Sequence, residues 1–245
     1  MCIDCGCAAT GAADDHHHDH AAGARTLRIE EGLLAKNDRL AAGNRARFAA
    51  AKVFVLNLVS SPGSGKTTLL ERTLREQGGA LRCAVLEGDQ QTSLDAERIA
   101  ATGVPVRQIN TGAGCHLDAH QVGHGVESFD LGQTDILMIE NVGNLVCPAG
   151  FDLGEDHKVA LLSVTEGEDK PLKYPQMFHA ATLLLINKTD LLPYLDFDVA
   201  RCKAFARQVN PQIEIIELSC RSGAGMAQWY AWLDAGVKQK QGPGG

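Results

Sequence analysis

A run of seven mostly apolar residues, 53–59 (VFVLNLV), passes straight into the turn SSPGSG and then into KTT at 66–68. That order specifies a buried strand, a phosphate cradle and a helix expected over 66–77. Phosphate oxygens need donors that converge from one side, and Gly63 and Gly65 give the loop the dihedrals that turn backbone N–H groups inward. The helix that follows aims its positive end at the same place. Ser61, Gly63, Ser64 and Gly65 form the cradle, Lys66 reaches the β and γ phosphates, the Thr67 hydroxyl holds Mg²⁺, and Thr68 continues the motif. Ser60 stands where the strict pattern has glycine, a position that shapes the turn and does not contact phosphate.

With 245 residues and 44% hydrophobic content, the chain can bury a sizeable core. A net charge of −7 with no basic stripe argues against nucleic acid or an anionic membrane as the main partner. No apolar run approaches the roughly 18 residues of a membrane span, and no secretory leader pattern is present, so the expectation is a cytoplasmic protein. Three of the eight cysteines fall within the first seven residues, which in a reducing compartment points to metal and not to disulfides.

The segment 1–25 has almost no apolar periodicity and reads as a mobile metal-binding tail. Cys2, Cys5 and Cys7 can close small chelate rings around one soft or borderline cation. Nickel(II) tolerates a planar set completed by a nitrogen, and zinc prefers a tetrahedron. His16, His17, His18 and His20 among aspartates form a looser chelator for metals that favour imidazole, and the interrupting Asp19 argues against an artificial tag. Residues 26–52 carry apolar positions at helical spacing and predict one or two amphipathic helices, with Gly43-Asn44 as a possible break.

From 53 to 240 strands and helices alternate, which defines an α/β domain; 241–245 is expected to fray. A second strand over 82–86 ends in EGDQQT. A carboxylate there, Asp89 first and Asp95 second, is placed to hold Mg²⁺ or position water, with a helix cap as the competing role for Asp95. After a strand at 106–109, His116, His120 and His124 recur at every fourth residue beside Cys115, a spacing that predicts three imidazoles on one helical face and a metal site centred on Cys115 and His116.

The strand 135–139 leads into Glu140-Asn141-Val142-Gly143, where Glu140 replaces the aspartate of an Asp-x-x-Gly element. Its acid works through the Mg²⁺ shell, and the Gly143 N–H senses the γ-phosphate. Cys147-Pro148 follows within a few residues, so a thiol lies close to that sensor. Strands over 158–164 and 182–186 come next, the second ending in Asn187-Lys188-Thr189-Asp190. Asp190 accepts from the N1–H and 2-amino group of guanine while Asn187 and Lys188 brace the ring. A final strand at 213–218 ends in SCRSG, whose Ser219 closes over the base while Cys220 reads as structural.

SSPGSGKTT, ENVG, NKTD and SCRSG in this order, with GCH and NLVCPA, resemble the HypB family of nickel-incorporation GTPases of nickel-iron hydrogenase maturation over nearly the whole chain. MCIDCGC is similar to the high-affinity nickel motif of some members. The resemblance implies a P-loop NTPase, a doubly wound, mostly parallel sheet flanked by helices, which forms a homodimer with GTP. It places Cys115, His116 and Cys147 as nickel or zinc ligands at the dimer interface, with His120 and His124 as further interfacial ligands in some relatives. It also implies slow hydrolysis of GTP to GDP, a small HypA-type accessory partner, and delivery of nickel to the hydrogenase large subunit. The related urease GTPase and a nucleotide-regulated metal buffer are the alternatives; the separate Cys115-His116 and Cys147-Pro148 pairs differ from the urease-type Cys-Pro-His.

Overall fold

A computed structural model describes residues 19–89, 94–112 and 114–242, with side chains from residue 32 onward. Cys2, Cys5, Cys7, His16, His17 and His18 lie outside that description, as does the side chain of His20. The strands are β1 (Phe54–Ser60), β2 (Cys83–Asp89), β3 (Val106–Asn110), β4 (Ile136–Glu140), β5 (His157–Ser163), β6 (Leu183–Asn187) and β7 (Glu214–Glu217). The helices are α1 (Asp19–Ala50), α2 (Lys66–Gln77), α3 (Leu94–Ala100), α4 (Ala119–Gly125), α5 (Lys170–Lys173), α6 (Pro175–Ala180), α7 (Val199–Val209) and α8 (Met226–Gln241). Among the described residues the strands form one sheet in the order β3-β2-β4-β1-β5-β6-β7, with every pairing parallel.

Central parallel strands are covered on both faces, which explains why β1 is buried along its whole length. Phe54, Leu56 and Leu58 face α2 and α8, where the buried Trp229 donates its indole N–H to Thr73 at 2.9 Å. Val53 and Val55 face the opposite way, into a cluster with Phe48 of α1 and Val122 of α4. The polar break in the strand, Asn57, is fully buried on that second face; it donates to Glu155 at 3.0 Å and accepts from Asn141 at 3.2 Å. The chain returns to the sheet on opposite sides of β1, so the loops after β1, β2 and β4 converge at the strands' carboxyl ends, where such sheets bind ligands.

Helix α1 is continuous through Gly43-Asn44, contrary to the possible break. The reason is inward packing: Asn44 is buried and donates to the Ala119 and Leu153 carbonyls at 2.8 and 3.0 Å. Asn37 also accepts from the Ala119 N–H at 2.9 Å, so α1 grips the start of α4. Asn44→Ala removes both donations and takes its donor from the buried Leu153 carbonyl, an expected loss of about 1–3 kcal/mol in chemical denaturation. A loss near zero would show that α1 does not anchor the α4 end.

Candidate nucleotide and metal site

The turn after β1 has the backbone its glycines were expected to supply, with φ of +76° at Gly63 and +101° at Gly65. Helix α2 begins at Lys66 with no side chain capping its N-terminus, which leaves that end available to an anion. Lys66 is buried and donates to the Ser60 hydroxyl at 2.8 Å, so the serine at the first motif position steadies the lysine. Thr67 donates to Glu140 at 2.8 Å across the β1–β4 gap. Gly63, Gly65, Lys66, Thr67 and Glu140 line a cavity of about 540 Å³, with Asp89, Asp95, Arg98 and Gly143 also on its walls.

Sequence reasoning missed two charged residues of these walls, Arg98 and Glu87. Strand β2 was expected to end at residue 86 but continues to Asp89, because Gly88 and Asp89 pair with Ile109 and Asn110 of β3. Glu87 is therefore a strand residue, in register with Glu140 and on the same sheet face. Both carboxylates are buried, and the Oε2 atom of each has no hydrogen-bond partner among the described residues. Burial, reinforced by Glu140, Asp89 and Asp95, pushes the Glu87 pKa up to about 8. Burial raises Glu140 to about 7 against the opposing pull of Lys66 and Thr67. Counting alternation from Val85 would have found Glu87.

A smaller cavity of about 210 Å³ adjoins the first, the two sharing Gly65, Thr68 and Lys188. Asn187 donates to the Ser64 carbonyl at 2.9 Å and accepts from the Cys220 N–H at 3.2 Å. Lys188, in a left-handed conformation with φ +62°, donates to the Gly63 carbonyl at 2.6 Å. Ser219 donates to Asp190 at 2.5 Å, which fixes the carboxylate at the cavity wall. Cys220 sits in the core cluster with Trp229, and burial pushes its thiol up to about 11.

The loops after β3 and after β4 bring together a third group of candidate residues. The ligand atoms of Cys115, His116 and Cys147 all lie within 4.8 Å of one another, and all three residues are partly exposed. Two sulfurs and an imidazole suit a soft or borderline cation. A hydrogen bond with Cys147, ahead of burial, raises the Cys115 pKa; burial lowers that of His116, which favours its neutral form. The His116 ring rests on Phe151 with centroids 4.0 Å apart.

The expected three-imidazole face does not form. Asp118 and Gln121 cap each other reciprocally and start α4 at Ala119, so His116 belongs to the preceding loop. His120 and His124 do share α4, with ring centroids 4.5 Å apart, but neither joins the cluster of Cys115, His116 and Cys147. The Asp-x-x-Gln signal was present in the sequence.

The family model described as CobW/HypB/UreG, nucleotide-binding domain, matches residues 54–217, from β1 to β7. The class is thus a P-loop nucleotide-binding protein of that group. A hydrogenase maturation factor HypB from Azotobacter vinelandii is 67% identical over 218 residues, covering 88% of this chain and 72% of the relative. A hydrogenase/urease maturation factor HypB from Helicobacter pylori is 40% identical, covering 85% and 87%. A crystal structure of HypB from Helicobacter pylori in complex with nickel superposes with a TM-score of 0.80 at 37% identity, covering 86% of this chain and 99% of that one. The chain belongs to the HypB family of hydrogenase maturation factors.

Proposed function

We propose that this chain is a GTP-hydrolysing nickel metallochaperone, acting as a cytoplasmic homodimer that delivers nickel to the hydrogenase large subunit with a HypA-type partner. The observation that supports this reading is spatial: Cys147 lies on the loop that begins at Glu140, and its sulfur sits beside Cys115 and His116 while Glu140 bonds Thr67 of the phosphate loop. Asp190, Asn187 and Lys188 would take guanine, with Ser219 closing the pocket. Lys66 and the α2 N-terminus would take the phosphates, while Asp89 and Asp95 are the candidates for water positioning. Magnesium fits the residues present, since Thr67 offers a hydroxyl and Glu87 and Glu140 offer buried carboxylate oxygens lacking partners. When bound, it would neutralise charge at those carboxylates and on the phosphates.

Nickel is cargo in this reading, with zinc as its competitor at the same three ligands and with Cys2, Cys5 and Cys7 as a separate loading site. In the full chain carrying alanine at those three tail cysteines, nickel affinity should differ between GTP-analogue and GDP states; equal affinities would remove the switch. In cells, deletion should abolish hydrogenase activity and excess nickel should restore it. The Helicobacter pylori relative's name carries both enzymes, so urease activity is measured in the same strain. If nickel enzymes did not respond at all, the protein would be a metal buffer. Cys2→Ala is expected to lose tail nickel and leave nucleotide turnover unchanged.

A further inference from the structure

Asn141 follows Glu140 and is almost wholly buried. Its Oδ1 accepts from two backbone N–H groups at 3.0 Å each, those of Val142 and of Leu117. Its amide donates to Asn57 on β1, and its own backbone N–H donates to the Leu58 carbonyl. Leu117 is the neighbour of His116 and is also fully buried, seated against the backbone of Gly88: a Cβ on that glycine would lie 2.7 Å from Leu117 Cγ. One residue beside a candidate metal ligand is thus clamped by the ends of both β2 and β4, the two segments whose Glu87 and Glu140 face the phosphate cavity.

We propose that the contact from Asn141 to Leu117, with Leu117 wedged on Gly88, is a second mechanical link between nucleotide state and the Cys115–His116 loop, independent of Cys147. Asn141 is a positioning residue in this scheme. Displacement of residues 140–143 toward a terminal phosphate carries the Oδ1 acceptor with it. The Leu117 N–H must follow, since a buried donor left without a partner costs about 1–3 kcal/mol. His116 moves with its neighbour, while Cys147 moves along its own stretch of loop. Two ligand-bearing segments are then driven from one strand end, which changes the spacing of the ligands as a set. This inference rests on the proposed metal and nucleotide reading of the site.

The test uses the full chain with the three tail cysteines replaced by alanine, comparing Asn141 with Asn141→Ala. Nickel affinity is read from thiolate-to-nickel absorption at saturating GTP analogue and at saturating GDP. The parent ratio should be at least about fivefold, the lower end of typical couplings. In Asn141→Ala it should fall to less than half the parent value, and by reciprocity the effect of nickel on GTP-analogue affinity should fall equally. A ratio retained above half would mean that Cys147 carries the coupling alone and would overturn the link. A parent ratio of one would instead overturn the reading of the site together with the link. As a measurement needing no Asn141 variant, hydrogen exchange at the Leu117 amide should change severalfold between the two nucleotide states; an unchanged rate would also overturn the link.

Discussion

Lys66→Ala is expected to lower GTP turnover by about 10²- to 10³-fold, the loss typical of removing one preorganised charge donor at a reacting group. Lys66 is held at 2.8 Å from Ser60 before any ligand arrives, and it faces a cavity that also holds Glu87 and Glu140. Without its ammonium, phosphates would enter a site whose buried side chains are mainly acidic, so nucleotide binding should weaken as well as turnover. Hydrogenase activity should fail with it, while nickel on the tail cysteines should be unchanged. Stopped-flow turnover and nickel counting on the same preparation check both halves. Loss of tail nickel in this variant would argue against separate modules.

Asp190→Asn should turn base preference from guanine toward xanthine by about 10⁴-fold, the scale on which a site built to hydrogen-bond one group rejects its replacement. Guanine offers two donors on its edge, N1–H and the 2-amino group, and a carboxylate accepts both. Xanthine has a carbonyl in place of that amine, which a carboxylate repels and an amide N–H satisfies. The Asn carbonyl can keep the Ser219 donation that orients Asp190, so the exchange changes the pattern presented to the base while retaining the anchor. Competition binding of GTP and XTP measures the swing. An unchanged preference would mean that residue 190 does not read the base.

The fold was legible because its signals are local. Each expected strand is present, since the central parallel strands are mostly apolar runs, and the turns after β1 and β6 carry side chains whose chemistry suggests their partners. What escaped were features fixed by tertiary pairing. Strand β2 runs to Asp89 only because β3 lies alongside it, which turned Glu87 from a loop residue into a wall of the phosphate cavity. Helical spacing grouped His116 with His120 and His124, but the Asp118–Gln121 cap sets the helix start and separates them. Cys115 and Cys147 are 32 positions apart, so the family resemblance grouped them with His116 where spacing alone could not; the structure brings the three together with β4 inserted between β1 and β2. Lys158 gave no sequence signal beyond a charge in an apolar run. It is buried and donates to the carbonyls of Pro148, Ala149 and Phe151, holding the turn that carries Cys147.

The donations from Asn187 to Ser64 and from Lys188 to Gly63 tie the smaller cavity to the turn after β1, which in the proposed reading are the purine end and the phosphate end of one cleft. Gly65 permits this closeness, since a Cβ there would lie 2.7 Å from the Asn187 amide. The spacing between the two ends is therefore a fixed gauge, and di- and triphosphates would seat against it alike up to the β position. Any discrimination between them must come from the opposite rim, where Glu87, Glu140 and Gly143 stand. A factor that speeds nucleotide exchange would then work best by prying residues 187–188 off 63–64, releasing base and phosphates in one motion.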